Sequence, residues 1–122
     1  MANKKNNNNV EITYKGESYA LVFNLNVMEQ IQEEYGSVEA WGNLTEAADE
    51  PNAKAIKYGL GAMINEGIEI YNEDNEGNDD FRERKPFTLR QVGRIISEEG
   101  LLNVASKINK TVVESTKSDE KN

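Results

Sequence analysis

Residues 10–26 read VEITYKGESYALVFNLN, and this stretch decides the fold. Apolar residues alternate with polar ones on both sides of Gly16, first at Val10, Ile12 and Tyr14, then at Tyr19, Leu21 and Phe23. Alternation with a period of two is typical of a strand with one buried face, and the glycine suits the positive φ of a tight turn. The stretch therefore predicts a β-hairpin. Because an isolated two-stranded hairpin is marginal in water, its apolar face must pack on other elements.

Those other elements are predicted to be helices, because the spacing of apolar residues changes after Asn24 to three or four. The first helix has its apolar face at Leu25, Met28, Ile31 and Tyr35. Asn24 or Asn26 can cap its first turn, and Gly36 suits its C-terminal end. The pattern is typical of an amphipathic helix that packs against a core.

Four more helices follow in the sequence. Their expected starts are Ser37, Pro51, the Thr88–Gln91 capping box and the residue after Gly100. The sequence thus predicts an α+β fold in which an N-terminal β-hairpin packs on a mainly helical domain of about five helices. We expect the core to include Phe23, Ile31, Ile56, Leu60 and Ile95.

Chain length and polar stretches predict the domain organisation. The 122 residues suit one domain. Residues 1–9 (MANKKNNNN) have nothing to bury and are expected to be a disordered lead, residues 10–113 to form the domain, and residues 114–122 to be a disordered tail. Within the domain, residues 66–87 are expected to be a mobile acidic loop, because seven acids and no base lie between Glu66 and Asp80.

Composition excludes several classes of function. The chain contains no Cys and no His, which removes thiolate nucleophiles, Cys–zinc sites and Ser–His catalysis. The net charge of −8 disfavours binding to a nucleic-acid backbone, which needs clustered Lys and Arg. No apolar run approaches the roughly 18 residues of a membrane span. We therefore expect an acidic, soluble, cytoplasmic protein that is not an enzyme, needs no cofactor or metal, and binds neither nucleic acid nor membranes.

One metal-binding pattern stands in the acidic stretch. Read as a 12-residue calcium loop from Asn72, it places acids at the third, fifth, ninth and twelfth positions and a glycine at the sixth. An Asn opens it, Asp79 occupies the eighth position where an apolar residue packs, and Pro86 breaks the exiting helix. The sequence therefore favours an acidic loop without a specific metal. A calcium-responsive binding module remains an alternative that rests on this pattern alone.

The last helix contains the candidate partner-binding residues. Its apolar stripe runs through Val104, Ile108 and Val112, and Val113 widens it. At a chain terminus few elements remain to cover such a stripe, so part of it is expected to accept a helical partner in a helix-in-groove contact. The alternative is that these residues close the core of the domain. Trp41, the single tryptophan, has the same two interpretations.

The order of these features resembles a known family. The chain runs from VEITYKGESYALVFNLN (10–26) into a helix ending EEYGS (33–37), then AIKYGLGAMINEG (55–67), a variable loop and FTLRQVGRIIS (87–97). Over residues 10–113 this is similar to the tail assembly chaperones of long-tailed bacteriophages and of prophages in Gram-positive bacteria. The resemblance implies a non-catalytic protein of the host cytoplasm. It would bind tape measure protein, tail tube protein or both, and keep them soluble until the tube polymerises.

Charge distribution supports a second hypothesis from another class. Fifteen of the 22 acids lie between Glu17 and Asp80, and no base lies between Lys15 and Lys54. Such a chain could act as an acidic nucleic-acid mimic that inhibits a DNA-binding protein. That function needs the carboxylates on one rigid face, whereas seven of them fall in the expected mobile loop. The sequence therefore favours the chaperone.

Overall fold

The computed structural model describes residues 10–46 and 50–121, so the predicted lead at residues 1–9 lies outside the described residues. Its elements, in order, are β1 (Glu11–Tyr14), β2 (Glu17–Ala20), α1 (Leu25–Tyr35), α2 (Val38–Thr45), α3 (Ala53–Asp74), α4 (Leu89–Glu99) and α5 (Leu101–Lys121). The predicted α+β fold, a hairpin followed by five helices, is confirmed.

The hairpin closes with a two-residue turn at Lys15 and Gly16, both at positive φ. Positive φ at both central residues is the geometry that matches the twist of paired antiparallel strands. In the register Ile12 pairs with Tyr19, so both side chains lie on the face of the hairpin that meets the helices. The ladder continues past β2, where the Leu21 N–H donates to the Val10 carbonyl at 2.8 Å.

Helix α3 is the central element, packed against α1, α2, α4, α5 and β2. One continuous core forms around it, and Ile31, Ile56, Leu60 and Ile95 are buried there as predicted. Phe23 differs from the prediction because it is only half-buried, with its ring stacked parallel to Trp41 at a centroid distance of 6.5 Å.

Hairpin and α3 meet through backbone atoms. The Val22 N–H donates to the Met63 carbonyl of α3 at 3.3 Å, beside the position of Gly67. A Cβ at position 67 would overlap the carbonyl oxygen of Ala20 and lie 3.3 Å from its carbon. Only a residue without a side chain lets the end of β2 approach the helix this closely.

The expected acidic loop at residues 66–87 is wrong in its first part. Helix α3 continues to Asp74, because Ile68 is buried in the core and extends the apolar face set by Leu60 and Ile64 at intervals of four. The acids Glu66, Glu69 and Glu73 occupy the exposed or half-exposed side of the same helix. Acidic residues on a solvated face do not end a helix while its other face is buried. The number of acids in this stretch therefore led to a wrong prediction of a loop.

The expected disordered tail also needs correction. Helix α5 runs to Lys121, whereas the prediction ended the domain at Val113. A helix that has begun on a packed face adds residues at little further free-energy cost, so a polar extension does not require apolar anchors of its own. In the described ranges no helix is both long and apolar enough to cross a bilayer.

Candidate functional site

An extended segment, residues 84–87, lies along α3 and is fastened to it by two asparagines; we call it the strap. Asn65 donates to the Phe87 carbonyl at 2.9 Å and accepts from the Phe87 N–H at 2.8 Å. Asn72 makes the same pair of bonds with Arg84, at 2.9 and 3.0 Å. Each side-chain amide thus pairs with backbone as a neighbouring strand would.

The spacing of the two clamps follows from helix and strand geometry. Seven residues of α-helix, from Asn65 to Asn72, rise about 10.5 Å. Three residues of extended chain, from Arg84 to Phe87, span about 10 Å. The two asparagines share one face of α3, so the strap runs antiparallel to the helix with both ends in register. Residues 84–87 are therefore anchored, which corrects the expectation that they belong to a mobile loop.

Arg84 also ties the strap to the hairpin. Its guanidinium lies 4.1 Å from the centre of the Tyr71 ring and 4.7 Å from that of Tyr19. It donates to the Ser18 carbonyl at 3.2 Å and forms an ion pair with Glu17 at 3.0 Å. Contact with two aromatic rings together with two polar partners suits a planar guanidinium with five donors better than a lysine ammonium.

Replacing Asn72 by alanine is expected to loosen the strap without unfolding the domain. The Arg84 N–H and carbonyl lose both partners, at a cost of about 1–3 kcal/mol. Hydrogen exchange at the Arg84 amide should accelerate, and a protease should cut near the strap sooner. Asn78→Ala is the control, because the Asn78 side chain donates one exposed hydrogen bond, to the Asn75 side chain at 3.2 Å, and forms no hydrogen bond with the strap backbone. Unchanged exchange at Arg84 in Asn72→Ala would contradict the clamp.

The calcium-loop pattern does not form one continuous loop, because its first three positions are helical. Asn72 and Asp74, its first and third positions, lie in α3, and the Asn72 side chain is engaged by the Arg84 backbone. Across the described residues, no group of three acidic side chains is close enough to hold a metal ion. The first three positions of the pattern therefore lack the loop conformation in which an EF-hand binds calcium.

A groove of about 580 Å³ lies between the hairpin, the end of α3 and the strap. Its wall includes the aromatic rings of Tyr19, Tyr71 and Phe87 around Arg84. These side chains are already engaged with one another: the Tyr19 and Phe87 rings meet edge to face at 5.2 Å. The groove is therefore the surface of the strap contact. Its charged lining is mixed in sign, with Glu17, Asp80 and Glu83 beside Arg82, Arg84 and Lys85.

A second groove, of about 240 Å³, separates α2 from α5, and we call it the α2–α5 groove. Its apolar lining consists of Val38 and Trp41 from α2 and Ile108 and Val112 from α5. Gly42, which has no side chain, and the polar Asn43, Thr45 and Asn109 also line the groove. Its acidic residues are Glu39 in α2 and Glu46, the C-cap residue that follows the helix.

The predicted partner-binding residues divide between the core and this groove. Val104 is fully buried and Ile108 is 1% exposed, so the expectation that the stripe stays partly uncovered is wrong for these two. They pack in the same core as the residues of α3, which the helical period alone could not reveal. Val112 is half-buried in the groove wall, and Val113 is 43% exposed one helical turn beyond Asn109. Val112 and Val113 are thus accessible to a partner.

Sequence reasoning missed the α2 side of the groove. Trp41 lines the groove and is held by a hydrogen bond from its Nε1 to the Ala55 carbonyl at 3.0 Å. A signal was present, since Val38 and Trp41 are spaced by three on a short helix. The core interpretation of Trp41 is confirmed, because its side chain is 2% exposed. Trp41 also lines the groove, and its contact with a partner stays a prediction.

Two tyrosines between α1 and α3 have perturbed acidities. Burial raises the pKa of Tyr35 above its usual value, and the Glu34 carboxylate raises it further. Burial and Glu34 likewise raise the pKa of Tyr58, whose hydroxyl donates to the Gln30 carbonyl at 3.1 Å. Both phenols stay protonated at neutral pH, so neither serves as a base there.

Comparison of this chain with protein-family models, with curated protein sequences and with solved structures finds no match.

Proposed function

We propose that this protein is a non-catalytic chaperone of phage tail assembly, acting in the host cytoplasm. It binds tape measure protein, and tail tube protein as a second client, and keeps them soluble until the tube polymerises. The proposal rests on the sequence resemblance over residues 10–113 and on the α2–α5 groove.

The groove is the observation that carries the proposal. Val38 and Val112 are half-buried and leave apolar surface in the groove, above the buried Trp41. The chain that carries this surface has a net charge of −8. A protein that holds apolar clients needs such a surface, and a high net charge limits its own aggregation. The exposed Val113 extends the α5 wall of the groove, so a client helix would contact Val112 and Val113 rather than the buried Val104 and Ile108.

The test is co-expression with the tape measure protein of the same phage or prophage. We expect the wild-type chaperone to raise the soluble fraction of tape measure protein and to co-purify with it. Val113→Asp should lower both, because a carboxylate in the contact would be desolvated. Leu25→Asp is the matched control: Leu25 is 75% exposed in the first turn of α1, where an aspartate suits the helix dipole.

Each outcome has a defined meaning. A tape measure protein that stays insoluble and unbound with the wild type overturns the proposed function. Equal binding by Val113→Asp and Leu25→Asp would leave the chaperone standing and remove the α2–α5 groove as its contact surface. Ile108→Asp is unsuitable for this test, because a charge at a fully buried position would unfold the domain.

One structural observation favours the acidic mimic as a second candidate. Glu66, Glu69 and Glu73 are spaced by three and four on α3, so they share one face of an ordered helix instead of a loop. Glu66 is further fixed by bonds from Asn24 at 2.9 Å and Asn26 at 3.2 Å. A mimic would displace DNA from a DNA-binding enzyme of the host, and Glu69→Gln with Glu73→Gln should abolish that competition. This candidate would be favoured if the chain displaced DNA from such an enzyme and left the solubility of tape measure protein unchanged.

A further inference from the structure

We propose that the α2–α5 groove recognises a client helix by one large apolar side chain flanked by lysine or arginine. This inference rests on the proposed function and names the chemistry of the partner. It follows from the size of the groove, the charge around it and the position of its exposed residue.

The size of the groove limits what it accepts. A volume of about 240 Å³ is below the usual range of small-molecule sites, about 300–1,000 Å³. It suits one large side chain inserted between α2 and α5, in the way that a central anchor fills a pocket in a protein interface. Trp41 and Val112, which line the groove, give that anchor an apolar surround. Leucine, methionine or phenylalanine meets this requirement.

The charge around the groove specifies the flanks of the anchor. Glu39 and Glu46 are the charged residues that line it, and both are exposed. On the α2 side, the sequence contains no base from residue 16 to residue 53, where eight acids lie. On the α5 side, Lys107 forms an ion pair with Glu99 at 3.3 Å, and the exposed Lys110 does not line the groove. A client with acidic flanks would be repelled, whereas lysine or arginine on either side of the anchor would be attracted.

The position of Val113 explains why a helix, and not a lone side chain, is the partner. Val113 lies four residues after Asn109 on α5, so it continues the wall of the groove by one helical turn. An amphipathic client helix presents apolar residues at intervals of three and four. One of them can enter the groove while the next rests on Val113, and its basic residues then lie near Glu39 and Glu46.

The experiment uses two synthetic helical peptides and the full chain. Each peptide has about 15 residues, which approaches the length at which an isolated helix becomes stable. Both carry the same leucine stripe and no tryptophan, and their polar positions are all lysine in one and all glutamate in the other. Trp41 is the single tryptophan of the chain and lines the groove, so its emission reports occupancy at this place. Labelled-peptide anisotropy gives the dissociation constant.

We expect the lysine peptide to shift Trp41 emission and bind, with an affinity that falls as salt is added, and the glutamate peptide not to bind. Val113→Asp should weaken the lysine peptide about tenfold, the loss typical of a strong interface contact. Leu25→Asp adds the same charge elsewhere and should not weaken it. Both variants add one negative charge to the chain. A loss of peptide affinity in Val113→Asp alone therefore cannot be an effect of net charge.

Charge near the groove is tested by a second matched pair. Glu46→Gln should weaken the lysine peptide about two- to threefold at low salt, and the difference should vanish at high salt. Glu98→Gln removes the same charge from an exposed position of α4 and should have no such effect. Equal binding of the lysine and glutamate peptides overturns the inference. An equal loss of lysine-peptide affinity in Val113→Asp and Leu25→Asp, or in Glu46→Gln and Glu98→Gln, also overturns it.

These results are separable from the proposed function. If the lysine peptide binds in the groove but tape measure protein stays insoluble, the chaperone proposal fails and the recognition chemistry stands. If the tape measure protein is held in solution but the peptides do not distinguish basic from acidic flanks, the inference fails and the chaperone stands.

Discussion

Replacing Trp41 with alanine is expected to lower the free energy of unfolding by about 3–5 kcal/mol. The Trp41 ring is 2% exposed and stacks on Phe23. In the variant the Ala55 carbonyl loses the hydrogen bond that Trp41 Nε1 donates to it. Removal leaves a cavity between α2 and α3 that neighbouring side chains can fill only in part. Chemical denaturation followed by circular dichroism measures the loss, since the variant has no tryptophan fluorescence. A change below about 1 kcal/mol would contradict the packing described.

Gly59 allows a direct test of the packing of Trp41 against α3. A Cβ at position 59 would lie 2.9 Å from Cε2 of Trp41 and overlap Cζ2. Gly59→Ala alone should therefore destabilise the protein by about 1–3 kcal/mol, although alanine favours helix. In the Trp41→Ala background the same substitution faces a cavity and should stabilise α3 by up to about 1 kcal/mol. The double-mutant cycle should thus be strongly non-additive, and additive effects would exclude direct contact.

Gly67→Ala is expected to destabilise the protein by about 1–3 kcal/mol or more. The new methyl group would overlap the Ala20 carbonyl oxygen, which belongs to the backbone and cannot rotate away as a side chain does. Relief requires the hairpin to move from α3 and stretch the bond from the Val22 N–H to the Met63 carbonyl. Denaturant unfolding gives the free energy, and exchange at the Val22 amide reports the local opening.

Gly93→Ala is the matched control, with the opposite expected sign. Its Cβ would meet only the Lys57 side chain, at 3.5 Å, which is ordinary contact. Because Gly93 lies inside α4, alanine there should stabilise the protein by about 0.5–1 kcal/mol through helix propensity. Equal stabilisation by Gly67→Ala and Gly93→Ala would show that the hairpin does not press on α3.

The local signals in the sequence predicted most of the fold. Asn24 caps α1 by accepting from the Val27 N–H, and Thr88 and Gln91 form the expected capping box. These interactions join residues three apart, so the residue types alone indicate them. Pro51 is a small error, since Asn52 is the capping residue of α3 and the proline precedes it.

The candidate site was predicted less well, for a related reason. A period of three and four marks the apolar face of α5 but does not say which element covers it. The core covers Val104 and Ile108, whereas Val112 lines the groove and Val113 stays exposed. That division depends on how α2 lies beside α5, a contact between residues some 70 positions apart in the chain.

The sequence by itself determined the hairpin, the helices and the acidic, His- and Cys-free chemistry of the chain, because each depends on residue types or on neighbours within about four positions. Only the tertiary structure decided the rest. It extended α3 through the acidic stretch by burying Ile68, and it paired Asn65 and Asn72 with backbone that follows them by 22 and 12 residues. It also opened a groove between α2 and α5. Burial and long-range pairing depend on which surfaces meet, and local residue patterns do not encode that choice.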